Sequence, residues 1–399
     1  MTVRRIALGE LFRIGSSKRV LQSQWTSGGV PFYRGREVTR LSIDGKVDNE
    51  LFISEDLFKE FSEKYGVPNP DDIMITAIGT IGNSYIVRAS DRFYFKDASV
   101  LWLKKLIPVS SKFINYWLKS PLFFGQLDRG NGTTVDTLTI QKLQRVVVDL
   151  PSPREQQRIV AILDEAFEGI ATAKANAEKN LHYAREVLKS HLQSALTQKR
   201  EGWTETLLGD IATFSSGGTP SKQNASFWDG PIPWVSGRDM KSDRIGDTVL
   251  HISRASVEAS ATRIAPIGSL LILVRGMGLA NGVAIAELVA PCAFNQDIKA
   301  IRANPGVDPR FLLFSLRTKL SDSDQILSNA AHGTLKIDME VLQSITLLIP
   351  SLEIQKKAIK QIDEIQEEAQ HLESIYQGKL SSLDELKQSL LHRAFNGDL

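Results

Sequence analysis

The 399-residue sequence contains a single cysteine, Cys292, and no run of about 18 apolar residues. One thiol excludes an intramolecular disulfide and any multi-thiolate metal site. Its apolar setting, ELVAPCAFN, reads as a buried structural side chain. The N-terminal stretch MTVRRIALGE lacks the apolar core of a secretory signal, so the expectation is a soluble, cytoplasmic protein. A strong excess of charge is missing too: 48 Lys+Arg against 46 Asp+Glu leaves a formal net charge of +2, which by itself does not argue for a nucleic-acid partner. The distribution is uneven. Residues 1–150 carry 21 basic and 16 acidic side chains, whereas residues 201–350 carry 13 and 15, and residues 351–399 carry 6 and 9. The acidic C-terminal stretch fits a protein-binding surface better than a phosphate-binding one.

Catalytic motifs are missing as well. No G-x-x-x-x-G-K-[ST] phosphate loop occurs, so ATP hydrolysis is not expected of this chain. No Asn/Asp-Pro-Pro-aromatic segment is present to hold an extruded adenine. The glycines Gly276, Gly278 and Gly282 miss the dinucleotide-binding spacing by one residue and lie outside a βαβ pattern, so they are read as a tight loop after a strand. The six histidines show no metal-ligand spacing. Asp297-Ile298-Lys299 is a fragment of a metal-nuclease triplet without a second acidic motif before it. A framework role outranks a minimal nuclease there.

What the sequence does contain is a tandem repeat with a period close to 200 residues, too long for a solenoid. Leu8-Gly9-Glu10-Leu11 returns as Leu208-Gly209-Asp210-Ile211, and VPFYRGREV from Val30 returns as IPWVSGRDM from Ile232. The apolar run Ile73 to Ile78 returns as Leu270 to Arg275, and Gly132-Thr133 returns as Gly333-Thr334. PSPREQQRIVAILDEA from Pro151 returns as PSLEIQKKAIKQIDEI from Pro350. Between landmarks the copies diverge, as two domains on one frame with different ligands would.

Each copy opens with short β-like runs punctuated by Gly, Pro, Asn and Ser, and contains one helical stretch, SKFINYWLKS or DPRFLLFSLRTKL. Pro151 and Pro350, with Ser152 and Ser351 placed as N-caps, introduce the longest periodic segments. Apolar or small residues run Ile159, Ile162, Ala166, Ile170, Ala173, Ala177, Leu181, Ala184, Leu188, Leu192 and Ala195 in the first. They run Ile359, Ile362, Ile365, Ala369, Leu372, Tyr376, Leu383, Leu386 and Leu390 in the second. About 45 residues at 1.5 Å each make helices on the order of 65 Å long. A stripe of that length is expected to be buried against the other long helix as an antiparallel or crossed coiled coil. The fold class expected is α+β: two mostly-β domains with small helices, separated by two long helices in an internal two-fold repeat.

The duplicated plan, the two Pro-initiated helices, IPWVSGRDM, FNQDIKAI and LKQSLLHRAFNGDL together resemble the specificity subunit of Type I restriction-modification systems over essentially the whole chain. That resemblance implies target-recognition domains at 1–150 and 201–349, each reading half of a bipartite, asymmetric DNA site. The long helices at 151–200 and 350–399 would be the spacer. It also implies two adenine methyltransferase subunits and two motor-nuclease subunits as partners. S-adenosylmethionine, ATP and Mg would be bound by those partners and not by this chain, which would have no catalysis of its own. The first copy departs at one point, with FKDA at Phe95 to Ala98 where the second has FNQD at Phe294 to Asp297.

Sequence-specific readers place Arg, Lys, Asn, Gln, Ser and Thr on exposed loops. In the first copy the candidates are Lys18, Arg19, Gln22, Gln24, Arg34, Arg36, Thr80, Asn83, Asn131 and Thr133. In the second they are Lys222, Gln223, Asn224, Arg238, Lys241, Arg275, Asn281 and Thr334. Arg36 and Arg238 recur, each before an acid, so a framework ion pair outranks a phosphate contact, and a phosphate contact outranks base readout. Thr133 and Thr334 recur as well, favouring a shared turn or phosphate contact. The competing view is a coiled-coil scaffold without DNA readout. Four residues inserted near Leu196 are expected to change the spacer between methylated half-sites and leave both half-site sequences intact; altered half-sites would contradict this division of labour.

Overall fold

The computed structural model describes residues 3–127, 137–321, 326–329 and 334–399, so Asn131 and Thr133 lie outside the described residues. The chain forms two units, Met1–Glu178 with Gln377–Leu399, and Lys179–Tyr376.

In the first unit the strands Phe12–Gly15, Val100–Lys105, Ile73–Thr76 and Ser84–Ile86 form one four-stranded sheet in that order. A second sheet is ordered Trp25–Thr26, Phe52–Ile53, Val30–Tyr33 and Tyr94–Phe95. Continuous apolar runs account for the central strands, which are covered on both faces: Ile73, Met74, Ile75 and Val100 are wholly buried, Ile73 and Ile75 in one core and Met74 and Val100 in another. The helix Ser111–Trp117 packs Phe113, Ile114 and Trp117 into the same core as Ile73 and Ile75.

The second unit repeats the plan. Ala212–Ser216, Ile298–Ala303, Leu270–Leu273, Ile285–Leu288 and Arg244–Ile245 make a five-stranded sheet. Beside it lies a four-stranded one of His251–Ile252, Ile232–Val235, Cys292–Phe294 and Ile264–Ala265. Cys292 is buried in its strand, and that burial pushes its thiol up to about 11. The helix Pro309–Lys319 matches Ser111–Trp117.

The LGEL landmark has a local explanation. Each copy is closed by an antiparallel ribbon, Arg4–Ala7 with Val147–Leu150 and Thr204–Leu207 with Thr346–Ile349. A four-residue helix follows the first strand of each ribbon. The Leu8 amide donates to the Val146 carbonyl, and the Leu208 amide to that of Ile345, both at 2.8 Å. A Cβ on Gly9 would sit 3.1 Å from the Gln144 carbonyl oxygen, and one on Gly209 would sit 3.3 Å from the Gln343 Cβ. The glycine therefore permits the close approach that ties the domain's start to its end.

Both long helices have 45 residues, Pro153–Thr197 and Leu352–Asn396. The Ser152 Oγ accepts from the Glu155 amide at 3.4 Å, as its N-cap position predicts. Within each unit the helix segments run antiparallel. In the first, Lys174 pairs with Asp384, and further toward the start of the first helix Lys387 lies over the Phe167 ring. In the second, Arg185 pairs with Glu373 at 3.0 Å, and Leu192 and Leu196 share a core with Ile359 and Ile362.

The buried seam differs in detail from the apolar pattern. Leu163, Ile170, Ala177 and Ala184 are buried at heptad spacing, while Ile162 is only half-buried and Leu372 and Leu386 are exposed. A 3.5-residue period brings every seventh position to the partner and turns the alternates to the flank. The Gly276–Gly282 loop contains a short 3-10 turn, Met277–Asn281. Among the described residues no helix is long and apolar enough to cross a membrane.

Leu196 is 4% exposed and packs with Trp203 and Phe311. An insertion beside it therefore perturbs packing and spacing together. Leu196→Ala is expected to cost about 2–5 kcal/mol, measured by urea unfolding; an unchanged midpoint would contradict this packing.

Candidate nucleic-acid interface

Strand register brings the candidate loops of each unit to one end of its sheets. In the second unit Ser216 pairs with Lys299 and Leu273 with Ile298, so the chain after Ser216, the chain after Leu273 and the turn before Ile298 emerge together. Val235 runs parallel beside Phe294, which adds the segment 236–241 to the same end. The Gly218 amide donates to the Phe294 carbonyl and the Asn295 amide to that of Val235. A Cβ on Gly237 or Gly278 would touch the Leu273 side chain at 3.4 or 3.1 Å, so both loops meet over one residue. The bridge between Arg275 and Lys336 brings the segment after Gly333 alongside.

The first unit gathers its loops likewise. The Ser17 hydroxyl donates to the Phe95 carbonyl at 2.6 Å, the Ala77 amide to that of Ser99, and the Asn83 Nδ2 to the Thr39 hydroxyl at 3.1 Å.

The turn that separates the copies, FNQD against FKDA, is built in two ways. Asn295 is 9% exposed, and its Oδ1 accepts from the Asp297 amide at 3.2 Å. The Gln296 Oε1 accepts from the Thr219 hydroxyl at 2.6 Å, clasping the 217–224 loop. In the first copy Ala98 adopts a left-handed φ of 60°, and its amide donates to the Ser16 Oγ at 3.2 Å. Arg19 pairs with Asp97 at 2.9 Å and supplies the clasp instead. The Asp297 carboxylate receives the side-chain amides of Asn295 and Gln296, while the Lys299 Nζ donates to Ser216. Both thus belong to this framework. Among the described residues no group of three His, Cys, Asp or Glu side chains could hold a metal ion.

The candidate readers fall into two sets. Those of the first copy are largely engaged within the domain. Glu37 receives the Arg34 amide and guanidinium and the Arg36 Nε, and Arg36 also pairs with Glu50 at 2.7 Å. The Gln24 Oε1 accepts from the Leu21 amide, and Lys18 lies 5.8 Å from the Tyr65 ring centroid. Gln22 and Thr80 are exposed, although the Thr80 carbonyl accepts from Thr76. In the second copy the Asn224 Oδ1 caps the Ser226 amide. Lys222, Gln223, Arg238, Lys241, Arg275 and Asn281 are exposed, and their side chains make no hydrogen bond or ion pair among the described residues. Arg238 thus makes no counterpart of the Arg36 ion pair; Asp239 accepts from Ser236 instead. Thr334 is half-buried next to the Leu335–Lys336 strand.

Sequence reasoning missed four residues that both copies share: Gln156 and Asp164 in the first long helix, Gln355 and Asp363 in the second. Gln156 and Gln355 are 3% and 0% exposed. Polar residues recurring at the start of an otherwise amphipathic helix were the available signal.

The family model described as "Type I restriction modification DNA specificity domain" matches residues 2–180 and again 200–377. The EcoR124I/EcoR124II specificity subunit of Escherichia coli is 28% identical over 257 residues, 63% of this chain and 62% of that protein. The S.HindORF215P specificity subunit of Haemophilus influenzae is 31% identical over 192 residues, 46% of this chain and 47% of that protein. The matched stretches thus span about half to three fifths of these relatives. Two solved structures share the fold. One comes from work on complex assembly and conformational transition of the type I R-M system, with TM-score 0.77, 18% identity, and 100% of this chain and 98% of that chain covered. The other is the HsdS subunit from Thermoanaerobacter tengcongensis, with TM-score 0.59, 17% identity and coverages of 100% and 97%.

Burial alone would push the Glu37 carboxyl up, but the hydrogen bonds and charges of Arg34 and Arg36 outweigh it and hold the group at about 2. With the folded pKa below the unfolded one, its stabilisation is full above the ordinary carboxylate range and is lost as pH falls toward 2. The melting-temperature difference between the wild type and Glu37→Gln is therefore expected to be largest near pH 7 and to shrink between pH 5 and 2. A difference independent of pH would contradict the ion-pair account.

Proposed function

The chain belongs to the Type I restriction-modification DNA specificity family, and on that premise we propose that residues 1–150 and 201–349 each read one half of a bipartite, asymmetric DNA site. The observation that carries this reading is the gathering of divergent loops at one end of each repeated frame. A duplicated frame with unlike exposed side chains suits two unlike half-sites. The second domain carries no net positive charge, yet Lys222, Arg238, Lys241 and Arg275 lie on those loops with no side-chain hydrogen bond or ion pair among the described residues. Contacts of this kind position a duplex through phosphates and read base edges with the remaining side chains. Arg34 and Arg36, held by Glu37, are assigned to the frame and to phosphate contact, and Gln22 and Thr80 are the better base-reading positions of the first domain.

The helices at 151–200 and 350–399 set the number of unspecified base pairs and receive the partners. In the second unit a groove of about 390 Å³ between the helix segments is lined by Tyr183, Val187, Ile365 and Leu372, of which Tyr183 and Val187 are 51% and 63% exposed. Apolar side chains left in water on a helix pair support a protein partner there. Two methyltransferase subunits and two motor-nuclease subunits fill that role. They would bring S-adenosylmethionine, ATP and Mg, while this chain contributes recognition in the cytoplasm and no catalytic step.

Binding of the chain with its methyltransferase to duplex libraries randomised in one half-site at a time tests the proposal. Lys222→Ala with Arg275→Ala should weaken recognition of one half-site by about 1–3 kcal/mol and reduce the salt dependence, with the other half-site unchanged. Binding that ignores both sequence and ionic strength would instead indicate a scaffold.

A further inference from the structure

The four residues that recur in the long helices form two matching clamps. At the start of the first long helix, the Gln156 Oε1 accepts from the Ser110 amide at 3.1 Å, and its Nε2 donates to the Pro151 carbonyl at 2.9 Å. At the start of the second, the Gln355 Oε1 accepts from the Asp308 amide at 2.7 Å, and its Nε2 donates to the Gly306 and Pro350 carbonyls at 3.0 and 2.8 Å. Ser110 and Asp308 are the N-caps of Ser111–Trp117 and Pro309–Lys319, and each caps its helix with its own side chain. The N-cap residue's own amide has no partner inside its helix. The glutamine supplies one, from the long helix.

A second contact lies about two turns further along each long helix. Asp164 accepts from the Lys112 Nζ at 2.6 Å and from the Tyr116 hydroxyl at 2.5 Å. Asp363 accepts two parallel bonds from the Arg310 guanidinium at 2.7 and 2.6 Å. Lys112 and Arg310 both stand at the second position of their short helices. Each recognition domain already packs against its long helix through apolar side chains, Ile159 and Leu163 with Phe113 in the first unit and Ile359 and Ile362 with Phe311 in the second. The two polar contacts, about two turns apart on the long helix, add directional bonds to that non-directional packing and fix the angle between helix and domain.

We propose that Gln156 with Asp164, and Gln355 with Asp363, are positioning residues that fix the direction in which each recognition domain leaves its helix, and so determine how strictly the spacer between the half-sites is discriminated. The inference rests on the bipartite reading above. These residues touch no DNA in it; the half-site sequences depend on the loops, and the tolerance for spacer length depends on the clamps. A loosened clamp lets one domain pivot and reach a half-site displaced by one base pair.

The test uses the full chain with its cognate methyltransferase subunits. Initial methylation rates are measured on duplexes carrying the wild-type site and on duplexes with the spacer one base pair shorter or longer. Gln355→Met keeps the side-chain volume and removes all three hydrogen bonds of the glutamine; Arg310→Ala removes the second contact from a partly exposed position. The ratio of the rate on the native spacer to that on the altered spacers is expected to fall at least tenfold in each variant, with half-site base preferences unchanged and partial recovery in Arg310→Lys. If Gln355→Met does not fold, as read by thermal melting, the result rests on Arg310→Ala and Asp363→Asn. An unchanged ratio in these folded variants would overturn the proposal. Wild-type methylation without any bipartite site would overturn the underlying functional reading, and the clamp with it.

Discussion

A buried glutamine at the start of each long helix, hydrogen-bonded to the N-cap amide of a short helix in the adjoining domain, is the constraint on which the rest of the structure depends. A glutamine side chain removed from water must have its donors and acceptor satisfied. Satisfaction here requires the proline carbonyl that precedes the helix and the domain's own capped helix to be in place together. The long helix thus begins where the domain ends, in a direction set by the domain. The carboxylate two turns on repeats the link with a charged partner.

From that anchor the remaining features follow as consequences of one frame used twice. The ribbons Arg4–Ala7 with Val147–Leu150 and Thr204–Leu207 with Thr346–Ile349 close each domain just before the clamp. Strand register then sends the variable loops to one end of the sheets. The frame tolerates different chemistry at equivalent points, as Arg19–Asp97 and Thr219–Gln296 show by clasping the same loop with an ion pair in one copy and a neutral hydrogen bond in the other. The Ser16 hydroxyl, accepting from the left-handed Ala98, takes the place of the Asn295 side chain that accepts from Asp297 in the corresponding turn.

Much of this was legible in the sequence because it rests on periodicity and repetition. The α+β class, the two long helices and the internal repeat follow from spacing alone. The heptad seam was less accessible: Ile162 and Leu163 are equally apolar, and only the partner's position decides which one faces inward. The candidate loops were legible in the sequence, but which of their side chains are engaged within the domain was not. Glu37 and Asp239 each accept the amide three residues before them, and an arginine is bound there only in the first copy because Arg34 stands where the second has Ser236. Gln156 and Gln355 escaped notice because a glutamine near a helix start normally reads as a solvated residue, and its burial depends on a domain that precedes it by some 50 residues.

The central claim is that one chain carries two unlike DNA readers separated by a spacer. Mapping the methylated adenines in DNA modified by this chain together with its cognate methyltransferase tests it most directly. The account predicts two different short sequences, each with one modified adenine, separated by a fixed number of unspecified base pairs. A single contiguous sequence, or modification without regard to sequence, would contradict it.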